Sequence, residues 1–283
     1  MIRHVIDGLD HPECVTWDPR GFLYAGGEAG QLYRISPDSG AFEQLCTTEG
    51  WILGICLDCD GNAYLCDPTN HALFRASRTG ELELVSNGTK ERPMQIPNFA
   101  VFDSNGNLYV SDSGTWDSVS GCVFRITPEG VTTVWSSGTP NFTNGLAVDA
   151  SEQYLYVVES TLPGVSRIPI NSDGSAGVPE IVVSMPRTVP DGIAFNIDGT
   201  LYIACYRPDC IYTLDLDGQL EVFAEDYQGT EIGAPTNVAF GGNDLKTLFI
   251  ASLARWHVGA MDVNIAGLPL HYPNPISLMG ENS

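Results

Sequence analysis

The sequence predicts an all-β protein: a six-bladed β-propeller of four-stranded blades, with the N-terminal strand closing the last blade. Three observations carry the prediction. A stretch such as Pro190-Asp191-Gly192-Ile193-Ala194-Phe195-Asn196-Ile197-Asp198-Gly199-Thr200-Leu201-Tyr202-Ile203 recurs six times along the chain. It reads as a polar residue, a short apolar strand, an Asp-Gly type of turn and a second apolar strand. Aligned copies place Glu13, Leu53, Asn98, Asn144, Asp191 and Asn237 in one slot, at steps of 40, 45, 46, 47 and 46 residues. A repeat of that length, built from strands and turns, is the mark of a propeller with one blade per repeat. Finally, Arg3-His4-Val5-Ile6-Asp7 stands where a fourth strand belongs, yet no blade precedes it.

The third repeat shows how each blade is expected to run. Asn98 to Phe102 forms the first strand, Asp103-Ser104-Asn105-Gly106 the hairpin turn and Asn107 to Ser111 the second strand. A longer loop, Asp112 to Ser120, leads to a third strand at Cys122–Ile126. Pro128-Glu129-Gly130 then turns the chain into a fourth at Val131–Trp135. In the last blade, strands at Asn237–Phe240, Thr247–Ala251 and about His257–Val263 leave room for Arg3–Asp7 as the outer strand. This pairing of the two ends leaves no bare inner edge. Residues 1–283 are read as one domain, with about 264–283 as a tail laid over the surface.

Composition narrows the function. A formal charge of −22 argues against nucleic acid or an anionic membrane as partner. No apolar run approaches the roughly 18 residues that span a bilayer, and the N-terminal residues lack the apolar core of a secretory signal. A cytoplasmic protein acting on a small molecule is the expectation; composition leaves the oligomeric state open. The eight cysteines, Cys56-x-x-Cys59 among them, lack a second pair or histidines at zinc spacing and are read as buried free thiols.

Strand direction places the slot at one end of the propeller axis, together with the loops between second and third strands. Those loops carry Glu28, His71, Trp116, Asp117, Arg207, Arg255, Trp256 and His257, whereas the opposite turns repeat only Asp, Asn and Gly. Function is therefore expected on the slot face. Five of the six slot residues are carboxylates or carboxamides, which an apolar core would not select. Glu13, Asn144 and Asp191, with Asn98 beside them, offer the oxygen ligands that a hard divalent cation takes. Their two formal negative charges match a 2+ ion. Calcium is the first expectation, with magnesium, manganese or zinc as alternatives; the slot lacks the His or Cys that zinc favours. The bland alternative is a ring of strand-capping residues around a polar channel.

The chain resembles the gluconolactonase/regucalcin/luciferin-regenerating-enzyme (SMP-30-like) family of six-bladed propellers along essentially its whole length. The resemblance rests on Pro12-Glu13-Cys14-Val15-Thr16-Trp17-Asp18, Pro97-Asn98, Asn144-Gly145-Leu146-Ala147, Pro190-Asp191-Gly192-Ile193-Ala194 and the repeated Gly-x-Leu-Tyr strands. It implies a divalent metal on Glu13, Asn144 and Asp191, with Asn98 touching metal or substrate. It also implies lactone hydrolysis, in which the metal polarises the carbonyl and activates water and Asp191 accepts a proton. Many sugar-lactonases of the family carry arginine two residues before the third-slot asparagine, where this chain has Ile96. With Leu53 in the second slot, this points to a less polar substrate. Trp51, Trp116, Phe142 and Trp256 are candidate pocket aromatics, His71 a candidate contact and Arg207 a candidate holder of a substrate carboxylate. Two other readings stay open: a phosphotriesterase or arylesterase like diisopropyl fluorophosphatase or the paraoxonases, and a non-catalytic binding propeller.

Overall fold

The computed structural model describes residues 2–278 and has 24 strands and one 3₁₀ turn, Leu253–Arg255, among them. The strands form six four-stranded antiparallel sheets. Five are consecutive: Val15–Asp18 to Ala41–Thr47, Ile55–Leu57 to Leu82–Ser86, Pro97–Phe102 to Thr132–Ser136, Thr143–Val148 to Glu180–Ser184, and Val189–Phe195 to Leu220–Glu225. The sixth joins Pro235–Gly241, Thr247–Ser252 and His257–Asp262 to the N-terminal strand Arg3–Asp7, which lies outermost. The ring closes as the sequence predicts. In the third blade the observed strands differ from expectation by a residue at an end, because pairing extends to Pro97 and to Ser136.

The first strands pack around the axis and are almost wholly buried. Apolar residues of each sheet meet those of the next. Tyr64 and Leu73 of the second blade pack with Phe102, Val110 and Phe124 of the third. The rings of Tyr64 and Phe102 meet edge-on at 5.2 Å. Each such aromatic pair contributes about 0.5–1.5 kcal/mol beyond the area it buries.

The lower turns explain their repeated Asp and Gly. Asp103 Oδ1 accepts the backbone N–H groups of Asn105 and Asn107 at 2.9 and 2.8 Å, and Oδ2 accepts Asn107 Nδ2 at 2.9 Å. Gly106 takes the positive φ, 82°, that this turn requires. Asp58 repeats the arrangement with Asp60 and Asn62. These carboxylates hold hairpins.

From residue 264 the chain crosses the lower face. Leu268 N donates to Phe195 O, Tyr272 Oη to Trp17 O at 2.8 Å, and Cys59 N to Pro273 O. Ile276 is buried among Tyr64, Phe102 and Phe124. The predicted tail thus includes a core residue in its described part; its residues 279–283 lie outside the described residues. All eight cysteines are free, but Cys59 is exposed and Cys46 partly so, which corrects the expectation that all are buried. Cys59 lies in a hairpin turn whose backbone meets the tail, and the turn faces solvent. No helix is long and apolar enough to cross a membrane among the described residues.

Candidate active site

The slot residues converge at the upper end of the axis, around a cavity of about 420 Å³. Glu13, Leu53, Asn98, Asn144, Asp191 and Asn237 all line it, with Trp51, Thr69, His71, Ile96 and Phe142 in the wall above. Two local devices bring them together. Strand pairing is irregular at the slot in four blades, between Pro97 and Phe99, Thr143 and Leu146, Pro190 and Ile193, and Pro235 and Asn237. A bulge of this kind bends a strand and re-aims its side chain. The second device is the glycine that follows the slot. A Cβ on Gly145 would stand 2.3 Å from Asp191 O, and one on Gly192 2.4 Å from Asn237 Nδ2. Gly54 meets Asn98 O in the same way. Only a residue without a side chain lets neighbouring slots approach so closely.

The hydrogen bonds settle which way the amides face. Ser113 Oγ donates its one proton to Thr143 O at 2.8 Å, so it can only accept from Asn98 Nδ2 at 3.0 Å. Ser160 Oγ likewise donates to Pro190 O at 2.7 Å and accepts from Asn144 Nδ2 at 3.1 Å. Both asparagines therefore give an N–H to the wall and keep Oδ1 available, and the Asn144 amide also eases the Asp191 carboxyl through a hydrogen bond. Asn144 Oδ1 is buried without a protein partner. Asn237 is turned the other way: its Oδ1 accepts Val15 N at 3.2 Å and its buried Nδ2 has no partner. Sequence reasoning missed Ser113 and Ser160. The acid-Ser pairs Asp112-Ser113 and Glu159-Ser160, which recur at the upper ends of second strands, are the signal that marks them.

Glu13 and Asp191 are half-buried and open to the cavity. Depth pushes the Glu13 carboxyl up to about 7, with Thr236 opposing and the Glu28 charge adding to the rise. Asp191 is raised well above the usual carboxylate range, first by burial and then by the charge of Glu13. Neither has a cationic neighbour in the lining, which contains no Lys or Arg. Two mutually repelling carboxyls beside the available oxygens of Asn98 and Asn144 are a donor set that fits a hard divalent cation, which would take oxygen ligands and balance the charge.

The loop candidates divide. His71 lines the cavity and its Nδ1 donates to Gln95 O at 2.6 Å, leaving Nε2 as the free ring nitrogen. Trp51 and Phe142 form wall, and Trp51 Nε1 is a buried donor without a partner. Trp116 is outside the lining and packs edge-on against Phe142 at 4.8 Å. Arg207 is also outside: its guanidinium reaches Asp209 at 3.1 Å and covers the Tyr206 ring. Trp256 covers His11 at 4.4 Å on the rim, and His257 is buried on the outer side of the last blade. The repeat fixed where these loops start, but left their side-chain directions open.

Residues 11–254 match the model of the SMP-30/gluconolactonase/LRE-like region. The chain belongs to that family. Among its relatives is a pentonolactonase of Haloferax volcanii, 24% identical over 249 residues that cover 85% of this chain and 80% of that one. Another is a 6-deoxy-6-sulfogluconolactonase of Pseudomonas putida, 28% identical over 90% of this chain and 92% of its own. Similar folds include a gluconolactonase from Xanthomonas campestris, with TM-score 0.80, 18% identity and coverage of 94% and 89%. A calcium-binding regucalcin from Agrobacterium tumefaciens gives TM-score 0.75 at 17% identity, covering 94% of each chain.

Proposed function

We propose that this protein is a divalent-cation-dependent lactonase that opens cyclic esters bearing apolar or aromatic substituents. The observation that carries the reading is the upper ring, where the carboxyls of Glu13 and Asp191 meet Asn98 and Asn144 with their amide oxygens left available. The named lactonases among its relatives support the reaction class, and calcium, the ion of the regucalcin neighbour, heads the candidate ions. Glu13, Asn144 and Asp191 would hold the ion, with Asn98 beside it. A cation there supplies Lewis acidity toward a carbonyl and eases the ionisation of water. Asp191 accepts the proton of the attacking water as the new C–O bond forms. The ring C–O bond then breaks, and the proton passes to the departing alkoxide to give a hydroxy acid. A carboxylate positioned in the ring is of the residue class that commonly serves as a general base.

The wall sets the substrate. Leu53, Ile96, Trp51 and Phe142 present apolar surface, worth about 25 cal/mol per Å² that they cover. Trp51 and Asn237, both of the lining, also hold buried N–H donors without a protein partner. A polyhydroxylated lactone meets no arginine, and one missing hydrogen-bond partner costs about 1–3 kcal/mol. Comparing kcat/KM for gluconolactone with that for dihydrocoumarin, at fixed calcium, tests the proposal. Preference for dihydrocoumarin by roughly ten- to a hundredfold is expected. A tenfold preference for gluconolactone would overturn the substrate assignment, and turnover of neither the activity.

A further inference from the structure

At the seam where the chain's ends meet, three ligating side chains from distant parts of the sequence converge. Asp7 and His257 are directly paired residues of the two outermost strands of the last blade. His4 joins them because of a bulge. In a regular strand residues three apart point to opposite faces, but the pairing shifts between His4 and Ile6. The extra residue brings His4 and Asp7 to one side. The ligand atoms of His4, Asp7 and His257 lie within 4.8 Å of one another.

The hydrogen bond to His257 fixes its tautomer. His257, only 2% exposed, has its Nε2 3.0 Å from the backbone carbonyl of Glu231. A carbonyl only accepts, so Nε2 carries the proton and the neutral ring turns an Nδ1 lone pair toward Asp7. The Oδ1 of Asp7 is 3.9 Å away, another acceptor. His4 lies between two carboxylates, with Nε2 2.9 Å from Glu231 Oε2 and Nδ1 3.3 Å from the same Asp7 oxygen. Glu231 thus holds both outer nitrogens, through its carboxylate and its carbonyl. On the His257 side two acceptors, Nδ1 and Asp7 Oδ1, therefore face each other with no hydrogen between them.

A carboxylate or carbonyl behind each ligating imidazole is the usual support of a metal-bound histidine. Ligand atoms about 2.0–2.1 Å from a tetrahedral ion stand about 3.3 Å apart. The His4–Asp7 distance matches, and the His257–Asp7 distance closes with a small side-chain movement. We propose that His4, Asp7 and His257 form a second metal site, for zinc or a similar late first-row divalent ion, that clasps the N-terminal strand to the last blade. Two imidazoles and one carboxylate are a donor set of that class, and differ from the oxygen-only ring on the axis. The clasp joins residues 250 positions apart, His257 and Asp7, and closes the ring. Its residues lie two and three strands outward from the innermost strand Pro235–Gly241, so it is independent of the catalytic reading.

The test is zinc titration of the full chain in saturating calcium, read by thermal melting, with Co²⁺ absorption as the spectroscopic partner. A hundredfold excess of zinc over its Kd is expected to raise Tm by about 4–5 °C, and Co²⁺ to give the visible bands of a four-coordinate site. His4→Gln and Asp7→Asn, both at solvent-reachable side chains, lose both signals, whereas Glu13→Gln keeps them. His257→Gln is expected to behave as His4→Gln if it folds; the two exposed-side variants decide the matter if it does not. The same zinc shift in wild type and His4→Gln, or no shift in wild type, would overturn the proposal.

Discussion

Acidic and amide residues recur at both ends of the first strands, and the two ends treat them differently. At the lower end, Asp58 and Asp103 spend their oxygens on backbone N–H groups and asparagine side chains within the same hairpin. At the upper end, Glu13 and Asp191 line the same axis cavity; burial pushes both up, with the Glu28 charge adding at Glu13 and the Glu13 charge at Asp191. Upper carboxylates away from the axis resemble the lower ones. Asp112 accepts Gly114 N and Gln95 N, and Glu159 accepts Asn141 and Ser166. A buried acid that is fully hydrogen-bonded stabilises a turn. A buried acid left with repulsion and free amide oxygens is poised for a cation, and stability is what the fold gives up to keep it so.

Paired substitutions sharpen this contrast most. Asp191→Asn is expected to lower lactone turnover by about 10²–10⁴-fold, the usual cost of losing a general base, while much of the cation affinity remains. Asp103→Ala is expected to leave the turnover of folded protein unchanged and to lower unfolding free energy by about 1–3 kcal/mol, through stranded N–H donors. Steady-state kinetics beside denaturant melts of both variants make the comparison. Equal kinetic behaviour would erase the distinction between the two ends.

A smaller effect is expected one step back from the ring. Ser160→Ala removes the acceptor that turns Asn144, so cation affinity is expected to fall about 10–100-fold, the typical cost of losing the support behind a ligand. Calorimetric titration with calcium measures it. Unchanged affinity would mean that packing alone orients the amide.

The two ends also differ in pH dependence. Glu13 stands at about 7 against an ordinary 4.5, so the cation-free folded state holds a proton that the unfolded chain releases. Stability from this group is present below about pH 4.5 and is lost as pH rises through about 7, and raised Asp191 acts in the same direction. Cation binding requires the deprotonated forms and so strengthens over that window. Melting curves in chelator are expected to show Tm lower at pH 8 than at pH 5.5, with added calcium raising Tm more at pH 8. Calcium stabilisation equal at both pH values would contradict the assignment of Glu13.

Much of this contrast was legible in the sequence, because a propeller turns repeat spacing into a position in space. The slot at Glu13, Asn98, Asn144 and Asp191 follows from spacing alone, as does the closing strand Arg3–Asp7. What spacing does not encode is side-chain direction. Asn98, Asn144 and Asn237 share one slot, but hydrogen bonding turns the first two oxygen-inward and the third nitrogen-inward. Arg207, Trp116 and Trp256 lie on the expected loops yet outside the cavity lining, because each finds a neighbour of its own in Asp209, Phe142 or His11. Ile276 lies in a stretch broken by Pro269, Pro273 and Pro275, where Leu268, Leu270, Tyr272 and Leu278 are also apolar, and spacing alone does not say which of them enters the core.

If the upper ring holds a divalent cation used in lactone hydrolysis, activity and bound metal must rise and fall together. The most direct test is turnover of dihydrocoumarin by purified protein as isolated, after exhaustive chelation and after return of calcium, with bound metal counted at each stage. Turnover is predicted to vanish with the metal and to return as one calcium per chain is restored. Undiminished turnover by metal-free protein would contradict the account.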